Sequence, residues 1–199
     1  MGRPTKANSL TKQDVIAAAI ACLDREGETA LGVNRVAREL GIKPPAIYKH
    51  LDGNAGLRRA VALAIWRNYL TECRQQTEDI ADPQELFRVS AHATRNFARS
   101  HLARYSVMMH YPMRPTDSEE AEIIQESLHL FQEFLQLYGL DNNALIDVMR
   151  MVNAAIYGFI TREQLELMTL DRSFDTSYEV MLDALLVAIA HIQSKSSAS

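Results

Sequence analysis

The sequence is short of the residues that interrupt or staple a chain. Its 199 residues include eight glycines and six prolines, too few for a disordered or fibrous protein. The two cysteines, Cys22 and Cys73, stand far apart. That excludes a CxxC metal or redox pair and a disulfide framework. No uninterrupted apolar run approaches the roughly 20 residues of a membrane-spanning helix. The N-terminal stretch is polar, unlike a secretory signal, and Lys6 stands where a myristoylation site needs Ser or Thr. These absences lead to the expectation of a soluble cytoplasmic chain, not associated with membranes, of one or two domains.

Catalytic signatures are missing as well. There is no GxxxxGK followed by Ser or Thr, no GxGxxG and no HExxH, and no GxSxG elbow. The histidines at 50, 92, 101, 110, 129 and 191 form no i, i+4 pair for zinc. Glu119, Glu120 and Glu122 read as a solvated helix start favoured by the helix dipole. Cys22 falls on the buried side of the first helix and is expected to be inert. No enzyme activity, cofactor or metal is expected.

What is present is a charge asymmetry. The net charge is -4, but residues 1–60 hold ten Lys or Arg against six Asp or Glu. A basic head on an acidic body points the head toward a polyanion, unless the clustering is chance.

Helical periodicity runs from end to end, which predicts an all-α fold. Thr11, with Asp14 three positions on, starts a first helix that Gly27 ends. Further helices are expected over Val33–Leu40, Pro44–Leu51, about Asn54 to Gln76, and Pro83 to about Ser100. Residues 101–116 read as irregular or briefly helical, broken by Pro112 and Pro115. Asp117 or Ser118 then caps a helix to Tyr138, Asn142 or Asn143 starts one to about Leu167, and Thr176 or Ser177 starts the last, to about Gln193. The small, polar tail Ser194–Ser199 is expected to be disordered.

The pair Val33–Leu40 and Pro44–Leu51 reads as a helix-turn-helix. Ala37 is small where two helices cross. Val36, Leu40, Ile42, Ile47 and Leu51 supply a shared core, and Gly41 can take the left-handed conformation of a tight turn. The second helix can then enter a major groove. Lys43, Pro45, Ala46, Lys49 and His50 face outward, and Tyr48 offers a ring to the domain and a hydroxyl to a phosphate. The alternative is an αα-corner in an unrelated helical protein.

Residues 10–57 resemble the N-terminal domain of the TetR family of bacterial transcriptional regulators. The matching stretches are VIAAAIACLDREG, then VARELGIKPPAIYKHL, then Leu57. The motif residues are Ala37, Gly41-Ile42 and Tyr48-Lys49-His50-Leu51. Gly2-Arg3-Pro4 resembles the basic arm that many members carry, which adds Arg3 to the candidate DNA contacts. One position departs from the pattern: the family's Lys before Leu57 is here Asn54. Its helix terminus can still offer N–H groups to a phosphate, and Arg58 or Arg59 can take over the contact, or else be plain solvated arginines. The resemblance implies an all-helical homodimer with a ligand pocket in the larger C-terminal part. The expected division is 1–53 for DNA binding and 54–199 for ligand binding and dimerisation.

In the body, the helices around 143–167 and 176–193 are apolar nearly all round and need a second cover. A four-helix interface between two subunits would supply it, with Ile156, Phe159, Ile160, Met181, Leu185, Ala188 and Ile192 as candidates. The alternative is a large single-chain core. Tyr105, Met108, Met109, Met113, Phe131, Phe134, Met149 and Tyr157 are candidates for lining an apolar pocket, or are plain core. The leading expectation is a regulator, a repressor by preference. It would bind a pseudo-palindromic operator as a homodimer and be released by a small apolar or amphipathic effector. A ligand-independent DNA-binding protein and a helical enzyme or carrier remain as alternatives.

Overall fold

The computed structural model describes residues 10–135 and 138–196. Among the described residues there are nine α-helices and no strand, so the chain is all-α as expected. The helices are α1 (Lys12–Glu26), α2 (Val33–Glu39), α3 (Pro44–Ile47), α4 (Gly53–Thr77), α5 (Pro83–Ser100), α6 (Leu102–His110), α7 (Ser118–Leu135), α8 (Asn142–Gln164) and α9 (Phe174–Ser196).

Local chemistry sets most of these boundaries. The Thr11 hydroxyl accepts from Asp14 N–H at 3.1 Å, and the Asp14 carboxylate accepts from Thr11 N–H at 2.8 Å. This reciprocal box satisfies two of the donors that a helix start leaves open. Gly41 ends α2 at φ +65°. Ile42 N–H donates to Ala37 O at 3.0 Å and Gly41 N–H to Arg38 O at 3.2 Å, the Schellman arrangement that needs a left-handed residue. Asp117 Oδ1 accepts from the N–H groups of Glu119 and Glu120. Asp141 does the same for Asn143 and Ala144, so α8 is capped by Asp141, just ahead of the two asparagines read as its start.

Several expectations need correction. Helix α3 is one α-turn, and residues 48–50 continue it as a tighter turn through His50 N–H to Ile47 O at 2.9 Å. Of the two readings of 101–116, the briefly helical one holds: α6 ends at His110, before Pro112. Helix α9 begins two residues before Thr176 and runs through Ser196, so Ser194–Ser196 are helical. Helix α8 stops at Gln164, short of Leu167. Glu120 is fully buried and not part of a solvated helix start.

The described residues fall into two compact units. One holds those up to Asn68 with His101–Arg114; the other holds Tyr69–Ser100 with those from Pro115 onward. The residues of α4 are shared between the two.

The core of the first unit contains Val15, Ala19, Cys22 and Leu23 of α1, Val33, Val36 and Ala37 of α2, and Ile47 of α3. Leu51, Leu57 and Val61 close it. Leu40 and Ile42, expected in this core, are only half-buried. Helix α6 belongs here because it carries buried Tyr105, Val107 and Met108. The Arg104 guanidinium grips Asp24 at 2.8 and 2.6 Å. The Trp66 indole N–H donates to Met108 O at 3.1 Å.

In the second unit, α5, α8 and α9 meet around a seam of charge. Arg88, His92, Arg95 and Arg99 recur at helical spacing along α5. Arg88 and His92 pair with Glu179, Arg88 also with Asp183, and Arg95 and Arg99 with Glu163 and Asp175. Tyr178, fully buried, donates its hydroxyl proton to Ala91 O at 2.8 Å. Helix α8 is long and apolar enough to cross a bilayer by length and composition. Its Val148, Val152, Ile156 and Ile160 are buried in this unit.

Candidate nucleic-acid interface

Helices α2 and α3, with the Gly41 turn between them, form a helix-turn-helix in the first unit. Lys43 is the N-cap residue of α3 in extended conformation, and Pro44 occupies the first helical position, where a missing N–H leaves nothing unsatisfied. Ile47 points inward and is fully buried. Tyr48 (57% exposed), Lys43, Pro45 and Lys49 lie on the outside, and Ala46 and His50 are half-exposed. One short surface therefore carries two ammonium groups, an aromatic ring with a hydroxyl, and two small apolar residues.

Electrostatics separates the basic residues of this unit into two sets. Arg35 binds Glu26 with Nε at 2.9 Å and Glu39 with Nη1 at 3.0 Å; Arg25 reaches Glu39 at 2.8 Å. Hydrogen bonds from Arg35 hold the carboxyls of Glu26 and Glu39 below the usual carboxylate range. These arginines join the end of α1 to α2. Among the described residues, by contrast, Lys43 and Lys49 make no ion pair. Their charge is left for an anion from outside. Hydrogen bonds within the Thr11 box, with a smaller contribution from His50, hold the Asp14 carboxyl below the usual range.

The other sequence-named contacts fare differently. Arg3 lies outside the described residues. Asn54 is committed: its Oδ1 accepts the Val33 N–H at 2.9 Å. Arg58 is half-exposed and faces Glu28, with Nη1 4.0 Å from the carboxylate and Nη2 3.5 Å from the backbone oxygen. The role of Asn54 was missed in the sequence because its partner is 21 residues away. The signal was Gly32, a residue with no side chain to cap the helix it precedes.

The residues named for a pocket divide between the units. Tyr105 and Met108 are buried in the first unit, and Met109 and Met113 are half-buried there. In the second unit Phe134 is buried, with its ring centroid 5.2 Å from Phe87 and 5.5 Å from Phe131. Met149 and Tyr157 are half-buried. A cavity of about 450 Å³ opens at the α8–α9 connection, lined by Arg162, Leu167, Met168, Thr169, Leu170, Arg172, Phe174 and Ser177. None of the sequence-named pocket residues line it.

The residues named for a dimer interface lie on α8 and α9. Ile156, Ile160 and Leu185 are buried within their own unit, and Phe159, Met181, Ala188 and Ile192 are half-buried. The large apolar residues these helices leave outside are Ile146 on α8 and Val180 and Val187 on α9.

Comparison with known proteins agrees with this geometry. A family described as Tetracyclin repressor-like, C-terminal domain, matches residues 87–185. The HTH-type transcriptional regulator Rv0681 of Mycobacterium tuberculosis is 29% identical over 163 residues, 82% of this chain and 73% of the relative. BioQ of Mycobacterium smegmatis has a similar fold, with a TM-score of 0.66 at 27% identity over 92% of this chain and 99% of BioQ. A second BioQ structure, with its double-stranded DNA operator, gives 0.61 at 28% identity over 88% of this chain and 98% of that one. A TetR variant of Acinetobacter baumannii AYE bound to minocycline shares the fold, with a TM-score of 0.70 at 22% identity, covering 92% and 98% of the two chains. The N-terminal helix-turn-helix, the C-terminal match and these relatives converge on one reading: the chain is a TetR-like transcriptional regulator.

Proposed function

We propose that this regulator binds a pseudo-palindromic DNA operator as a homodimer and represses transcription until a small apolar or amphipathic molecule releases it. The observation that carries the reading is the outer surface of α3. Lys43 and Lys49 have no carboxylate partner among the described residues, while Arg25 and Arg35 of the same unit are paired. Tyr48 stands exposed between the two lysines. Free ammonium groups beside small apolar residues suit phosphates and base edges. The BioQ structure with its operator supports the same partner.

Two such surfaces, one per subunit, would meet half-sites about 34–36 Å apart. The uncovered Ile146, Val180 and Val187 support α8 and α9 as the face where subunits join. The effector would bind in the second unit, beside the packed rings of Phe87, Phe131 and Phe134. The minocycline-bound TetR structure supports ligand control in a similar fold. Helix α4, shared by both units, is the coupling element, and the effector must prefer one of its arrangements by about 1–3 kcal/mol. The role is binding and not catalysis, and the site of action is the cytoplasm. DNA contact is assigned to residues up to 53 with Arg58, and the remainder to sensing and dimerisation.

The test is selection of duplexes from a random pool, then a salt titration on the winner with wild type and Tyr48→Ala. A two-fold symmetric winner, bound more weakly by Tyr48→Ala by more than about 1 kcal/mol, is expected. No enrichment, with negligible binding at low salt, would overturn the proposal.

A further inference from the structure

The start of α4 touches both ends of the helix-turn-helix. At one end, Val33 N–H, the first amide of α2, donates to Asn54 Oδ1 at 2.9 Å. The residue before it, Gly32, sits at the N-cap position in extended conformation and offers no side-chain cap. At the other end, the Tyr48 ring lies against Gly53, with Cε1 3.7 Å from where a Gly53 Cβ would stand. Gly53 can take this place in the chain because its φ is +60°, a region side chains rarely adopt. Two adjacent residues of α4 thus reach the first residue of α2 and the exposed tyrosine of α3.

A helix normally takes its cap from its own N-cap residue. Here the acceptor comes from another helix, 21 residues away. A local cap would satisfy α2 equally well but would fix nothing about α4. A cap delivered from α4 makes the two helix starts move together. We infer that Asn54 is a positioning residue, a bridge that sets α2 and α3 at a defined placement on α4 and so aligns Tyr48 and Lys49 for recognition. It is not a phosphate contact.

The substitution of Gly32 separates the bridge from a simple cap. Gly32 is at φ -140°, ψ 141°, which any residue adopts, and a Cβ there would meet only Asn54 Oδ1, at 4.0 Å. Serine at 32 can therefore cap α2 locally. Asn54→Ala removes the bridge, and Asn54→Ala with Gly32→Ser restores a cap without restoring it. Asn54→Asp keeps an acceptor oxygen in the same place.

The first measurement needs no DNA. Backbone amide shifts of 33–51 are compared across wild type and the three variants, alongside thermal midpoints. The double variant is expected to recover the midpoint lost by Asn54→Ala while the amides of Tyr48 and Lys49 stay displaced, and Asn54→Asp is expected to keep them near wild type. Displacement confined to residues beside 32 and 54 would overturn the inference.

The second measurement rests on the operator reading: affinity for the selected duplex against salt. The bridge predicts roughly tenfold weaker binding for both Ala-containing variants, with the wild-type salt slope. Recovery of affinity by Gly32→Ser reduces Asn54 to a cap and overturns the inference. Weaker binding by Asn54→Ala while the amides of Tyr48 and Lys49 keep their wild-type places makes Asn54 a direct DNA contact and also overturns it. If wild type selects no duplex, the operator reading fails, and the DNA-free measurement still decides the bridge.

Discussion

Arg95 is held at 2% exposure, and what surrounds it explains how. Its guanidinium binds Glu163 through Nε at 2.9 Å and Nη2 at 2.7 Å, and Asp175 through Nη1 at 2.9 Å. The Tyr178 and Phe159 ring centroids lie 4.5 and 5.3 Å away, close enough for cation–π attraction. Burial alone would push the Glu163 carboxyl up. Hydrogen bonds from Arg95 and Arg99 outweigh that and hold it below the usual range. A carboxyl depressed by folding stabilises the fold above its unfolded value of about 4.3. That stabilisation is lost as pH falls through the lower folded value. Denaturant titrations should therefore show a wild-type stability that is level near neutrality and declines below about pH 4. Glu163→Gln should be less stable at neutral pH, with a shallower decline in acid; two parallel curves would remove Glu163 from the acid response. The cysteines give a simpler expectation. Burial raises both thiols, Cys73 to about 11, so the reactive thiolate is scarce. An aromatic disulfide reagent at mildly alkaline pH should label neither in the native protein and both after unfolding. Native labelling of Cys73 would show that its surroundings open.

Helix boundaries were legible where one side chain and its partner lie within a few positions. The Thr11–Asp14 box, the Gly41 stop, Pro44 and Pro83 are cases of this kind. Positions decided by distant partners were not legible. The length of α6 was hidden because Pro112 and Pro115 follow it closely; what ties it to α1 is Asp24, 80 residues earlier, through Arg104. Glu120 looked solvated because its own helix start is acidic, yet it is buried. The basic stripe of α5 was there to be read at 88, 92, 95 and 99, but its acids come from α8 and α9. Gly41 offers a test of a legible element. A Cβ there would meet nothing within 4 Å, so Gly41→Ala adds no clash, only the left-handed backbone at φ +65°. Roughly 1 kcal/mol should be lost in a urea titration. A change of sign would mean that the turn can re-form without positive φ.

At the scale of the whole chain, the sequence exposed the sum of the charges and hid their division. Residues 1–60 are net basic, but which cations are free follows only from the fold, where Arg25 and Arg35 pair with acids of their own unit and, among the described residues, Lys43 and Lys49 make no ion pair. The same limit applies to association. The excess apolar character of the last two helices was plain in the sequence, but their inward and outward faces were not. Leu185 is 6% exposed and Val187 is 70% exposed, although they are two residues apart on α9. Val180, Ala184 and Val187 share one outward stripe at helical spacing. This face, and not Leu185, is where a charge should separate subunits without disturbing the unit itself. Sedimentation of wild type is expected at twice the 22.4 kDa chain mass, and of Val187→Asp at the chain mass with a thermal midpoint that no longer depends on concentration. Operator affinity should fall with it, because a single subunit meets only one half-site. Leu185→Asp, in contrast, should unfold the second unit, since it buries a charge with no partner. A Val187→Asp protein that still sediments as a pair would place the subunit contact on another face and leave the exposed stripe of α9 without a role in assembly.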